Sequence, residues 1–371
     1  MPRATVDITP PGQRPDEDPS LAVRNNGGVP PPAEPAPAGR REALLVLSFG
    51  GPEGPDDVLP FLENVTRGRG VPRERLEEVA QHYHHFGGVS PINEQNQALI
   101  ATLERELVGA GIDLPVYWGN RNWAPYVEDT WRRLAEDGIE HVYVFATSAY
   151  ASYSGCRQYH EDIARARVVN GGGPTAEKLP HYFDSAGFVR ANADALAAAI
   201  AALPDDVRDT ARLVATAHSI PDAMAAVAGP DGHAYEAELT AAAQRVVAAA
   251  APGRSFDLVW QSRSGPPSVP WLEPDVNDHL RALAAAGERA VVLFPVGFIS
   301  DHLEVVWDLD NEARQTAAEL GLAFARAGTA GTHPAFVGTI RELVEERRAG
   351  GRPRLGTDCP ASCCFVPPRR S

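Results

Sequence analysis

Short apolar runs alternate with helix-length amphipathic segments from residue 43 to residue 348, and this alternation limits the fold more than any other feature. Buried-strand runs fall at residues 43–49, 116–118, 141–146, 179–183, 212–217, 257–260, 290–294 and 322–325. Helical patterns fall at residues 56–65, 73–86, 92–109, 125–136, 158–167, 188–202, 234–250, 274–286, 303–320 and 334–348. Strands that alternate with helices build parallel sheets through right-handed crossovers. A chain of 371 residues, 44% of them hydrophobic, suits two such units. The expected fold is therefore α/β: two doubly wound Rossmann-like domains over residues 42–185 and 186–330, with a cleft between them. Residues 331–371 add a terminal helix and a tail. Residues 1–41, rich in Pro, Gly and polar side chains, read as a disordered arm.

Open α/β sheets bind ligands beyond the carboxyl ends of their strands. Two strand ends carry concentrated chemistry. The run at 212–217 leads into His218. The run at 290–294 leads into PVGFISDHLEVVWDLD, which crowds Ser300, Asp301, His302 and Glu304 ahead of a helix. Taken singly, His218 is a core histidine at a strand end or a proton carrier. Glu304 is a helix-start acid, favoured there by the helix dipole, or a ligand. Taken together, they are expected to face each other across one cleft, where an imidazole and a carboxylate suit a ferrous ion or a proton-transfer pair.

Other features exclude or restrict functions. The glycine-rich GGPEGPDD after the first strand has neither G-x-G-x-x-G nor a Lys-Ser/Thr ending, and Glu53, Asp56 and Asp57 would repel a phosphate; a helix start is the expectation. A net charge of −15 argues against nucleic acid and against an anionic membrane surface. No apolar run approaches the ~20 residues of a spanning helix, and no secretory leader is legible, so a cytoplasmic location is expected. The loop TSAYASYSGCRQY gathers Tyr150, Tyr153 and Tyr159, either as a wall for a flat apolar ligand or as tyrosines half-buried at a domain edge. Cys359, Cys363 and Cys364 lie within six residues in the tail, with Cys156 the fourth cysteine. This is not a zinc-ribbon spacing, but four is the count an iron–sulfur cluster needs. A mononuclear zinc site is the alternative.

TAHSIP, GFISDHLEVVWDLD, WQSRSGPPSVPWLEPDV and FGGVSPI together resemble the ferrochelatases, and the similarity runs from about residue 43 to the C-terminus. The resemblance implies a chelatase-type fold and insertion of Fe2+ into a porphyrin during heme biosynthesis. It implies His218 and Glu304 as the catalytic pair and as ligands of the substrate iron, and Ser90 and Tyr159 as porphyrin contacts. It implies Cys156, Cys359, Cys363 and Cys364 as ligands of a [2Fe-2S] cluster, and the enzymes before and after it in the heme pathway as partners. Some bacterial members end the first strand with a tyrosine that approaches the iron; here the residue is Phe49, which has no oxygen to offer. The resemblance is to the soluble branch that makes iron coproporphyrin, and VAQHYHHFGG is not an apolar membrane lip, so coproporphyrin III is the expected substrate and protoporphyrin IX the alternative. Four propionates call for cations, and Arg67, Arg69 and Arg121 are candidates. Chelatases for cobalt or nickel, and a non-catalytic tetrapyrrole or metal carrier on the same fold, are the rival readings.

Overall fold

The computed structural model describes residues 39–68, 70–265, 268–351, 356, 357, 359, 363 and 364. The expected disordered arm, apart from its last three residues, lies outside the described residues, as do Arg69 and most of the tail.

The first half runs β1 (Glu42–Ser48), α1 (Val58–Val65), α2 (Arg73–His85), α3 (Ile92–Gly109), β2 (Val116–Asn120), α4 (Val127–Glu136), β3 (His141–Ala146), α5 (Gln158–Val169) and β4 (Thr175–Lys178). The second runs α6 (Ala186–Ala201), α7 (Asp205–Arg208), β5 (Arg212–His218), α8 (Asp222–Ala225), α9 (Ala234–Ala250), β6 (Phe256–Gln261), α10 (Val276–Ala285), β7 (Ala290–Phe294), α11 (Leu303–Val305), α12 (Arg314–Glu319), β8 (Ala323–Arg326) and α13 (Pro334–Arg348). A π-helix, Val306–Ala313, joins α11 to α12.

The strands form two parallel four-stranded sheets, ordered β2-β1-β3-β4 and β6-β5-β7-β8. This is the expected α/β architecture. Each sheet is buried on both faces, which is why its central strands read as unbroken apolar runs rather than alternating ones. In β1, Ala43, Leu45 and Leu47 face α4 and α5, while Leu44 and Val46 face the opposite layer. All five are fully buried, each larger side chain contributing about 1.5–3 kcal/mol by leaving water. One apolar core, running from Leu44 and Phe145 of the first sheet to Ala215 and Val292 of the second, connects the two halves through α3, α6, α9 and α13. The last helix, α13, packs against both α3 and α6 and so belongs to neither half alone.

One strand differs from expectation. Residues 179–183 are apolar and expected extended, but the edge strand is Thr175–Lys178, paired with β3 from His141↔Thr175 to Val144↔Lys178. Pro180 has no N–H for the ladder. Leu179 and Tyr182 are instead buried as irregular chain covering the sheet.

Candidate active site

Both sheets reverse direction after their second strand, which leaves a crevice beyond the ends of the first and third strands. In the second sheet those ends are His218, the last residue of β5, and the loop after β7 that leads to Glu304. Gly297 brings them together. Its N–H donates to the Thr216 carbonyl at 3.1 Å, and a Cβ there would lie 2.6 Å from the Ala217 Cβ, so only glycine lets the loop cross β5 so closely. Leu303 then anchors the loop from the other side, buried among Val58, Phe61, Leu76 and Tyr83 of α1 and α2.

The result is a distance of 3.7 Å between His218 Nε2 and Glu304 Oε2, with the side chains 35% and 41% exposed. The separation is an ion-pair contact but too long for a hydrogen bond, so both groups keep a lone pair toward the cleft. His218 Nδ1 donates to the Ser219 carbonyl, which places the proton of a neutral ring on Nδ1 and leaves Nε2 as the acceptor. Desolvation works against a charged His218, but the Glu304 carboxylate outweighs it and holds the pKa above the ordinary value. Desolvation likewise opposes a charged Glu304, yet His218, His302 and His82 hold its carboxyl below the usual range.

A third carboxylate stands behind the pair. Asp308, in the π-helix, accepts from Ser262 Oγ and from Gln261 Nε2 at 3.3 Å. Ser262, the residue after β6, is in a left-handed conformation, φ 60°. Burial pushes the Asp308 pKa up to about 7; the Ser262 hydroxyl opposes this, and Glu304 and Glu312 reinforce it. Glu304, Asp308 and exposed Glu312 follow one another at four-residue intervals from the cleft to solvent. Trp307 stacks on His82 of α2 with centroids 4.0 Å apart and planes 5° apart, closing the first half against the π-helix. Of the aspartates in the same stretch, Asp301 and Asp310 are neutralised by Arg326, at 3.2 Å from Asp301 and in direct contact with Asp310. Only Asp308 stays in the site.

The residues expected to hold a porphyrin are placed less simply. Ser90 is buried against Gly51, its N–H donating to the Pro52 carbonyl at 2.8 Å. Tyr159, on α5, is buried in the outer core of the first sheet, with the Arg121 guanidinium 4.2 Å from its ring centroid. Tyr150 is also buried, in a different core cluster from Tyr159, and half-buried Tyr153 donates to Glu161 at 3.0 Å. Arg121 is no free cation for a propionate: it is buried and pairs with Asp162 at 2.5 Å. Arg67 is exposed and bonds Asn64 at 3.0 Å. Phe49 is 37% exposed at the mouth of the first sheet, edge-on to Phe61.

The four cysteines converge away from this cleft, although they span 208 positions of sequence. Cys156 sits in a π-turn, Tyr153–Arg157, ahead of α5. Its thiol and that of Cys363 both bond the Cys359 sulfur and draw its pKa far down; the same contact pushes Cys363 up. Neighbouring side chains diverge in extended chain. Cys364 is left-handed, φ 56°, and the turn brings its sulfur to 3.8 Å from that of Cys363. The Cys364 sulfur accepts from Gly229 N–H at 3.2 Å, and the Cys364 N–H donates to the Val227 carbonyl at 3.1 Å. Four converging thiols and two backbone anchors fit an iron–sulfur group in donor chemistry. Among the described residues, no three or more His, Cys, Asp or Glu side chains surround a single-ion position.

The pair-wise architecture is that of a known class. SirB from Bacillus subtilis, solved with Fe3+, superposes with a TM-score of 0.50 and 14% identity, covering 84% of this chain and 99% of that one; the likeness is one of fold. The particular family follows from sequence: the ferrochelatase family model matches residues 41–348, and the chain belongs to the ferrochelatase family. The coproporphyrin III ferrochelatase of Nocardia farcinica is 60% identical over 344 residues, 89% of this chain and 97% of the relative. That of Mycolicibacterium smegmatis is 59% identical over 314 residues, 84% and 92% of the two chains.

Sequence reasoning passed over Ser262, Gln261, His82 and Trp307. The first two lie inside WQSRSGPP, where the run was read only as a family signature. His82 and Trp307 come from different halves, and no local pattern pairs them.

Proposed function

We propose that the chain inserts Fe2+ into coproporphyrin III, with His218 and Glu304 as the catalytic pair. The observation that carries the reading is the 3.7 Å approach of His218 Nε2 to Glu304 Oε2 at an open strand-end crevice. Metallation exchanges Fe2+ for the two inner N–H protons of the ring, so a site must supply ligands for a cation and acceptors for two protons. Fe2+ would meet one imidazole nitrogen and one carboxylate, a small N/O ligand set that can release the metal again. Protons leaving the ring pass to His218 and Glu304. Asp308, with its pKa about 7, carries them on toward Glu312 and solvent. In this reading the exposed ring of Phe49 is assigned to the apolar surface that a flat macrocycle requires. Ser90 and Tyr159 are assigned to the porphyrin side by their family motifs; their burial makes them supports of that wall.

The same reading assigns Cys156, Cys359, Cys363 and Cys364 to a [2Fe-2S] cluster, supported by the convergence of their four sulfurs. When bound, such a cluster ties the tail to both halves; insertion needs no electron from it, because the iron enters and leaves as Fe2+. Anaerobically purified protein is expected to contain about two irons and two sulfides per chain, and one zinc with no colour would overturn the assignment. A cytoplasmic setting belongs to this reading, since a reducing compartment keeps both thiols and ferrous iron reduced; among the described residues no helix is long and apolar enough to cross a membrane. The enzymes that supply the porphyrin and take its iron product are the expected partners. A division into residues 42–185 and 186–330, with 331–371 appended, is supported by the two separate sheets.

The test is anaerobic incubation with Fe2+ and, separately, coproporphyrin III and protoporphyrin IX, followed by optical spectra. Fast formation of the iron complex from coproporphyrin III is expected. Faster insertion into protoporphyrin IX would overturn the substrate, and binding shifts without metallation would favour a carrier.

A further inference from the structure

Two buried tyrosines have no part in the chemistry described so far. Tyr150 lies in the loop after β3 and Tyr235 in the first turn of α9. Burial pushes both phenols well above their ordinary pKa, so both hydroxyls are neutral donors. Each donates to a main-chain carbonyl at a decisive place. Tyr235 Oη donates to the carbonyl of His218 itself, at 2.9 Å. Tyr150 Oη donates to the carbonyl of Val296 at 2.6 Å, in the loop that carries Glu304. The two rings meet edge to face, with centroids 6.4 Å apart and planes at 88°. Tyr235 also stacks on Trp260, 5.8 Å away on β6, the strand that pairs with β5.

We propose that Tyr150 and Tyr235 are positioning residues, a joined bracket that fixes the separation of His218 from Glu304. One ring holds the end of β5, the other holds the start of the loop after β7, and their mutual contact fixes the distance between the two anchors. Gly297 closes the same arrangement from the strand side, where its N–H bonds Thr216. Both hydroxyls bond main-chain carbonyls, so their effect runs through the backbone. Placement matters because a displacement of about 1 Å in reacting groups costs on the order of 10²-fold in rate. The inference rests on His218 and Glu304 being the working pair.

The variants Tyr150→Phe and Tyr235→Phe keep ring packing and remove only the hydroxyl. Each is expected to lower kcat about ten-fold, with KM for the porphyrin and its Kd by fluorescence quenching within about two-fold and with little change in Tm. The double variant is expected to lose less than the product of the single losses, because both hydroxyls act on one spacing. A lowered Tm with unchanged kcat in both single variants would mean the hydroxyls only satisfy buried carbonyls, and would overturn the proposal. So would single losses that multiply in the double variant. His218→Ala in the same assay separates the two ideas. If it retains turnover, the pair itself is misread and the bracket falls with it. If it loses turnover while both Phe variants keep full kcat, the bracket alone is wrong.

Discussion

The two sheets have the same strand order and end their first strands in equivalent places, yet only one end is open. In the first sheet, β1 closes at Ser48, paired in register with Asn120. Ser48 is fully buried and its hydroxyl accepts from Asn96 of α3 at 2.8 Å, while Asn120 bonds the Ala124 carbonyl at 3.1 Å. In the second, β5 closes at His218, paired with Gln261, and the histidine remains over one-third exposed before Glu304. Helix α3 plugs the first crevice with an amide. The short helix α11 and the π-helix after it stand over the second and set Glu304, Asp308 and Glu312 along one path. Topology supplies two candidate crevices, and in the proposed function the loop residues decide which one does chemistry. Phe49, the next residue after Ser48, is 37% exposed and packs edge-on to Phe61.

The comparison is broken most directly at Glu304. Glu304→Gln keeps shape but loses charge, and is expected to cut insertion by about 10²–10³-fold, as for a lost proton acceptor, with porphyrin affinity within a few-fold. An unchanged rate in stopped-flow absorbance would reduce Glu304 to a helix-start acid. Next is Asp308→Asn. With a folded-state pKa of about 7, Asp308 is protonated below that pH and ionised above it, so turnover is expected to rise through about pH 7. Asparagine resembles the protonated form at every pH. The variant is expected to be about ten-fold slower at pH 8 and to lack that limb; a pH–rate profile that keeps it would place the titration elsewhere.

Changes in the first sheet are expected to matter less for rate. Ser48→Ala removes the acceptor for the buried Asn96 amide and is expected to cost about 1–3 kcal/mol in denaturant unfolding, with turnover within about two-fold. A large loss of turnover with full stability would mean that the plugged crevice is catalytic after all. Phe49→Tyr, which adds the oxygen some relatives have, should change the rate least, by no more than about two-fold given an apolar role; a large gain would show that iron is reached from that side.

Much of this was legible in the sequence, and the limits have physical causes. Unbroken apolar runs such as residues 290–294 mark strands buried on both faces, so the parallel architecture follows from them. Residues 179–183 misled because burial alone makes a run apolar, and Pro180 was the signal that no ladder forms there. His218 stands at the end of a strand and Glu304 beyond the loop after another; their residue types left each open between packing and chemistry, and the family motifs supplied the pairing. The buried placement of Arg121 was not legible, because its partner Asp162 lies 41 positions away on another element. Nor was the π-helix: 306–313 carries an ordinary amphipathic pattern, and its wider turn shows only in coordinates. The convergence of Cys156 with the tail depends on how the two halves pack, which local spacing does not encode.

The central claim is that His218, at the open crevice, does chemistry rather than packing. It is tested most directly by mixing anaerobic His218→Ala protein with Fe2+ and coproporphyrin III, then following porphyrin fluorescence and metalloporphyrin absorbance together. The account predicts that fluorescence quenching reports binding within a few-fold of the unchanged protein while no iron porphyrin forms above the uncatalysed rate. Iron porphyrin formed at a near-normal rate would contradict it.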